Sequence, residues 1–326
     1  MHRCIALAAA LSALLGASDG SPEKLTLITW NVDNLFDTRD DADRDDDEFL
    51  PLAVKRSDPL FWDNHCSKKR ALSYVRNCMN LDWSEAVLGQ KIRHLARVIG
   101  RSPPADIIAL QEVENLDTLN RLADALPRSY PHRVLIEGSD PRGIDVALLS
   151  RVPLRGEPVL HRSGGRGILQ VDLASGVTLL AVHFPSPRSP FSRRLRTWRD
   201  VERIVAGMDD DARPGALVVL GDLNIKTGEQ RRAQREMFGD DWIDLCPSCP
   251  GTYYYVPDRQ WDRLDRMYLL DSSPDWSWCG PGRVLGEPDK RPRKFRRLPN
   301  GDFRGDSDHR PLYGELCRSK RAARRR

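Results

Sequence analysis

Short apolar runs in this chain repeatedly stop on a polar side chain. Leu25 to Trp30 stops on Asn31, Ile107 to Leu110 on Gln111 and Glu112, and the run from Val177 through Val182 on His183. Leu217 to Leu220 is followed at once by Gly221-Asp222-Leu223-Asn224, and Asp306-Ser307-Asp308-His309 stands just before the run Pro311 to Leu316. Runs this short are too brief to cross a bilayer and fit buried strands. Further strands are predicted over Val134 to Ile136, Ile144 to Leu149, Ile168 to Leu173 and Leu264 to Leu270, separated by Gly and Pro.

Helical spacing appears between the strands. Leu88, Ile92, Leu95 and Ile99 predict a helix that Ser84 caps and Gly100 ends. Asn115 is expected to cap a helix reaching Leu126, and Phe191 to Met208 reads as an amphipathic helix. Recurring helices among more numerous apolar strands point to an α/β chain with sheets packed face to face and helices outside.

The two ends of the chain carry different signals. His2 and Arg3 precede the apolar run Cys4 to Ala17, so residues 1–18 are expected to be a signal peptide. One catalytic domain is expected over 24–317, followed by a basic tail over 318–326. Export to the periplasm or beyond is the expected localisation, with no stable membrane insertion and a monomeric state. Removing Cys4 leaves Cys66, Cys78, Cys246, Cys249, Cys279 and Cys317, an even set that predicts disulfides in an exported chain. Cys66 with Cys78 is the local pair expected, and Cys246-Pro-Ser-Cys249 is read as a disulfide-stapled loop, because a zinc ribbon needs a second such pair.

Charge is segregated along the chain. The net charge of +4 is only mildly basic. Acid is concentrated from Asp37 to Glu48, and base from Arg188 to Arg199, from Lys290 to Arg297 and from Arg318 to Arg326. Within the acidic segment Asp41, Asp43 and Asp45 alternate as in calcium loops, but the EF-hand glycine and closing glutamate are missing. A solvated charged loop is the expectation there. Of Glu112 and Glu114, one is expected to be a solvated charge.

Strand ends on a rigid sheet suit a preorganised polar site. Carboxylates and amides with one or two histidines suit Mg²⁺ or Mn²⁺ and a phosphate ester. Taken in order, these segments resemble the endonuclease/exonuclease/phosphatase superfamily, over nearly the whole chain from Trp30-Asn31 to Ser307-Asp308-His309. The resemblance implies a four-layered α/β sandwich, two packed mixed β-sheets flanked by helices (deoxyribonuclease I-like).

The resemblance also implies roles. Glu112 is matched to the main metal ligand and Asn31 to the amide supporting the metal and phosphate end, with Asp308 a ligand or polar neighbour. Asp222 and Asn224 are matched to the pair orienting water and phosphate. His309 resembles the catalytic imidazole, Asp265 the carboxylate that orients it, and His183 a histidine on the scissile phosphate or leaving group. The general base is either His309 or Asp222. Mg²⁺ is the implied cofactor, with Mn²⁺ or Ca²⁺ as alternatives.

Nucleic acid is the leading substrate, because Arg188, Arg193, Arg194 and the Lys290–Arg297 cluster fall near the inferred site. Arg142 and Asp145 either line that site or pair with each other. Tyr253 to Tyr255 and Trp261 either stack bases or pack in the core. A lipid or small-molecule phosphodiesterase or phosphatase is the alternative, although no obvious apolar membrane-contact element is visible. A non-catalytic nucleic-acid-binding module is the second alternative. Phe-Pro after His183, the acidic insertion and the six cysteines separate the chain from intracellular repair enzymes and bring it closer to exported bacterial members.

Overall fold

The computed structural model describes residues 23–319, apart from 70, 165, 209–213 and 288–289. The expected signal peptide and most of the expected tail, from 320 onward, lie outside the described residues. Strands β1 (Lys24–Leu35), β2 (Ile107–Val113), β3 (His132–Leu135) and β4 (Asp145–Ser150) form one sheet with three strands from the end of the chain. These are β13 (Trp276–Trp278), β14 (Arg283–Val284) and β17 (Leu312–Arg318). The sheet runs β13-β17-β1-β2-β4-β3, with β14 also on β17.

The second sheet holds β5 (Val159–His161), β6 (Ile168–Asp172), β7 (Val177–His183), β8 (Ala216–Asp222), β9 (Trp242–Asp244) and β12 (Asp265–Leu270), in the order β5-β6-β7-β8-β12-β9. Each sheet is mixed: β1 lies parallel to β2 and β7 parallel to β8, while the other pairings are antiparallel. Two hairpins stand apart, β10 (Tyr253–Tyr255) with β11 (Gln260–Asp262), and β15 (Arg296–Arg297) with β16 (Phe303–Arg304).

Side-chain alternation along each strand builds the layers. Leu25, Leu27, Ile107, Ala109, Val146 and Leu148 face Leu169, Leu179, Ala181, Val218, Leu220 and Met267 across the space between the sheets. The intervening residues point outward. Ile28, Trp30, Ile108 and Leu110 pack against α3 (Glu85–Arg101) and α4 (Leu116–Asp124). Leu180, Val182, Leu217 and Val219 pack against Trp198 and Val201 of α5 (Phe191–Ala206). The four-layered sandwich is therefore present, with both sheet faces covered, which explains why the strands read as continuous apolar runs.

Local details differ from the sequence reading. Helix α3 runs through Gly100 to Arg101, and Ser84 occupies its N-cap without a side-chain capping bond. Asn115 does cap α4: its side chain accepts the Thr118 N–H at 3.0 Å, and Thr118 closes the reciprocal box. The disulfides pair Cys66 with Cys78, Cys246 with Cys249 and Cys279 with Cys317.

Residues 36–83 form an irregular insertion containing α1 (Leu52–Ser57) and α2 (Leu72–Asn80). Its acidic segment is the solvated loop expected only in part: Asp40, Asp41, Asp43 and Asp45 are exposed, whereas Asp37, Asp46 and Asp47 are buried, as is Glu114 beyond the end of β2. A short helix α6 (Gln230–Ala233) lies over the outer face of the second sheet, where Ala233 joins the core.

Candidate functional site

The alternation that fills the core also delivers the polar residues. Asn31 continues the inward series Leu25, Leu27, Thr29. His183 continues Leu179 and Ala181, Asp222 continues Val218 and Leu220, and Asp265 begins the series that includes Met267 and Leu269. All four therefore point between the sheets at one open end, where apolar filling stops. Register puts them side by side, with His183 opposite Asp222 and Asp222 opposite Asp265.

Glu112 breaks the pattern. By alternation it belongs to the face covered by α3 and α4. The pairing of β2 skips it, passing from Gln111 to Val113 on both neighbouring strands, and its backbone turns left-handed at φ 65°. Such a bulge re-aims a side chain beside a site. On the facing strand, Asp33 and Asn34 are also left-handed. The carboxylate that results is held by Asn31 Nδ2 at 3.2 Å and by the Asn34 N–H at 3.1 Å.

Asn31 is the centre of the cluster. Its Nδ2 also donates to Asp222 Oδ2 at 3.0 Å, and its Oδ1 accepts the Asp33 N–H at 3.0 Å. Asn31 thus ties Glu112 of one sheet to Asp222 of the other. His183 Nε2 lies 3.5 Å from Asp222 Oδ2 and 3.9 Å from Glu112 Oε1. Asp222 Oδ1 accepts the Asn224 N–H at 2.9 Å, and Asn224 Nδ2 donates to the Phe184 carbonyl at 2.9 Å. Gly221 makes this approach possible, since at its φ of 146° a Cβ would lie 1.9 Å from the Val182 carbonyl oxygen.

His309 completes the site from the opposite direction along the chain. Its Nδ1 lies 2.7 Å from Asp265 Oδ2. Ser307 Oγ donates to the Asn31 carbonyl and accepts the His309 N–H, while Trp30 Nε1 donates to the His309 carbonyl. Ser307 and Trp30 lock the motif's backbone to β1. Their neighbours in the sequence drew attention and they did not, because their work is done through main-chain groups.

Burial and charge set the protonation states. Burial pushes the His309 imidazole down, but Asp265, then Asp222 and Asp308, outweigh it and raise it to about 10. Burial raises Asp222 to about 7, against the pull of His309. Burial also holds His183 well below the usual imidazole range, helped by Arg166. Glu112 is lifted by burial, yet Arg142, Arg166 and Lys294 bring it below the ordinary carboxylate range. At neutral pH the cleft holds one imidazolium, one neutral imidazole and one carboxylate near its midpoint.

The cleft opens into a groove of about 1230 Å³ lined by Glu112, Asp222, His183 and His309, with Arg142, Arg166, Arg188 and Lys294 on its walls. Arg142 reaches it and bonds Asn34 Oδ1. The other predicted substrate contacts are placed elsewhere. Asp145 is buried and accepts the Gly138 N–H at 2.9 Å, so it neither lines the groove nor pairs with Arg142. Arg194 is fully buried and bound to Glu229 and the Ser186 and Ser189 carbonyls, an internal brace for α5. Arg193 is exposed on α5, outside the groove lining. Lys294 belongs to the Lys290–Arg297 cluster expected near the site and does reach it, whereas nothing in the sequence singled out Arg166, which only the fold brings to the cleft.

A hard divalent cation fits this donor set. Glu112 and Asp308 would hold it, with Asn31 fixing Glu112 from behind, and Mg²⁺ commonly keeps several waters beside one or two carboxylates. The pocket already attracts positive charge: Lys294 Nζ sits 2.9 Å from Asp33 Oδ1 and 3.1 Å from Asp308 Oδ2.

Two packed mixed sheets with helices outside, and a carboxylate–histidine cluster at their strand ends, are the features of a metal-dependent phosphoester hydrolase. The model of the endonuclease/exonuclease/phosphatase family matches residues 28–309, and the chain belongs to that family. A comparison with curated protein sequences finds no match. Among solved structures, the chain is similar in fold to humanized D. rerio TDP2 (TM-score 0.51, 18% identity, 90% of this chain and 99% of that one). It is also similar to beta toxin from Staphylococcus aureus (0.54, 16%, 89% and 99%) and to the Bacteroides thetaiotaomicron mannosyl-6-phosphatase Bt3783 (0.53, 15%, 90% and 99%).

Proposed function

We propose that the protein is an exported endonuclease that hydrolyses phosphodiesters of nucleic acid with Mg²⁺ bound at Glu112. The observation that carries this reading is the groove: at about 1230 Å³ it exceeds the usual small-molecule pocket of about 300–1,000 Å³, and arginines and lysine line the same space as the catalytic cluster. Such walls can track a phosphate backbone, with Tyr253 and Tyr255 near enough to stack on bases. The signal-like segment 1–18 and three disulfides support export.

The protonation states favour a division of labour. Asp222, poised near neutrality, takes a proton from water as the water oxygen bonds to phosphorus. His309, held as an imidazolium through Asp265, donates a hydrogen bond from Nε2 to a phosphoryl oxygen and stabilises the charge that develops as the ester bond breaks, and the departing alkoxide takes its proton from solvent water. His183, neutral and buried, faces the same position from β7. The bound Mg²⁺ supplies neutralisation of a non-bridging oxygen.

The test is hydrolysis of plasmid DNA, RNA, sphingomyelin and bis-p-nitrophenyl phosphate in Mg²⁺ with an EDTA control. Plasmid nicking that EDTA abolishes is expected. Cleavage of lipid without nucleic acid would favour a second reading, a lipid phosphodiesterase. One observation favours that reading: the insertion exposes Leu60, Trp62, Leu72 and Tyr74, an apolar element not obvious in the sequence. No hydrolysis with any divalent metal would overturn both.

A further inference from the structure

We propose that Asp41, Asp46 and Glu114 form a second divalent-cation site, of calcium type, separate from the catalytic cleft. One carboxylate oxygen from each lies within 4.8 Å of the others, the widest separation of two oxygens bound to one ion at about 2.4 Å. Three residues from two distant segments therefore meet in the geometry that an oxygen-coordinated cation requires.

The second observation concerns Asp46 alone. It is 1% exposed, and its Oδ1 is buried with no hydrogen-bond partner among the described residues. Its other oxygen accepts the Asp41 N–H at 3.2 Å. No Lys or Arg pairs with Asp41, Asp46 or Glu114 among the described residues, whereas neighbouring Asp37 has Arg39 and Asp47 has Lys69. A buried carboxylate oxygen without a donor is costly unless a cation or a proton meets it. Asp41 is exposed, which leaves room for water to complete a coordination shell of about 6–8 oxygens.

Of the alternating aspartates of the sequence only Asp41 joins this cluster, with Asp46 from the same segment and a closing ligand different from that of an EF-hand. Glu114, 68 positions after Asp46, takes that place from the turn between β2 and α4. A cation there pins residues 37–48 to the chain just beyond Glu112. The same loop continues to Glu48 and Phe49, which line the groove, so the ion would order one of its walls. This site does not depend on which substrate the groove takes.

The experiment is Ca²⁺ titration of the EDTA-stripped full chain, read by calorimetry and thermal unfolding. It is run on the parent, Glu112→Gln, Asp46→Asn and Asp41→Asn. A rise in Tm of about 5 °C at a hundredfold excess over Kd is expected for the parent. Glu112→Gln should keep it, Asp46→Asn should lose it, and Asp41→Asn should weaken Ca²⁺ binding at least about tenfold. Loss of all Ca²⁺ binding in Glu112→Gln would overturn the proposal, as would unchanged binding in both aspartate variants. So would the absence of any Ca²⁺ effect, with Asp46→Asn more stable than the parent, since protons alone would then settle the cluster. If Asp46→Asn fails to fold, Asp41→Asn decides, because its side chain is on the surface.

Discussion

The strand-end cleft and the insertion over residues 36–83 carry charge in opposite ways. In the cleft the charged groups are paired: Glu112 with Asn31, His309 with Asp265, Asp308 with Lys294. In the insertion, Asp46 is buried in an irregular segment beside Glu114 of the β2–α4 turn, with no base paired to either among the described residues, and a disulfide supplies what a sheet supplies elsewhere. The lesson is that rigidity comes from two sources here. Hydrogen-bonded strands hold the chemistry, and a crosslink together with a proposed cation holds the wall beside it.

The largest effect is expected inside the cleft. His309→Ala should lower kcat on plasmid DNA or bis-p-nitrophenyl phosphate by roughly 10³-fold, and should also lower the thermal transition at neutral pH, because it leaves buried Asp265 without its partner. A loss below tenfold would mean that strand-end geometry does not carry the chemistry. Next is Asp265→Asn, expected to cost about 10²-fold and to change the pH profile. In the parent, activity should rise as Asp222 loses its proton near about 7 and fall as His309 loses its own near about 10. Removing Asp265 takes away the main upward push on His309, so the alkaline fall should begin at lower pH. An unchanged alkaline limb would remove His309 from the protonated role.

The comparison is sharpened by replacing both Cys66 and Cys78 with Ser. Opening of the insertion should become easier by roughly 2–3 kcal/mol, seen as faster amide exchange over 50–80, with little change in the strands of the sandwich. Exchange that accelerates equally in β1 and β2 would show that the two regions are one cooperative unit. The smallest effect is expected at their junction. Arg188 on the sandwich donates to the Tyr74 hydroxyl of the insertion at 3.0 Å across the groove. Arg188→Ala should reduce the slope of log Kd for DNA against log salt by about one, with kcat preserved.

Much of the cleft was legible because strand alternation is a local rule. Once Leu25 to Trp30 and Leu217 to Leu220 read as buried strands, the next polar residue had to sit at a sheet end, and Asn31 and Asp222 do. Asn115 was legible as a cap for the same local reason. Asp145 and Arg194 were misread because their surroundings come from far along the chain. A buried carboxylate answering a loop N–H and a buried guanidinium bracing a helix look, in sequence, like any charged residue near a motif. The acidic insertion was legible only in part: the alternating Asp41, Asp43 and Asp45 are exposed as expected, but the fold covers Asp37, Asp46 and Asp47.

The sequence by itself determined the order of the main strands and of α3, α4 and α5, the strand-end positions of Asn31, His183 and Asp222, and the family to which they belong. Tertiary structure alone decided that a bulge turns Glu112 into the cleft, that Arg166 reaches it, and that Glu114 meets Asp46. The physical reason is range. Alternation acts over two residues, whereas the cost of burying a charge is set by whichever groups the whole fold brings within a few ångströms.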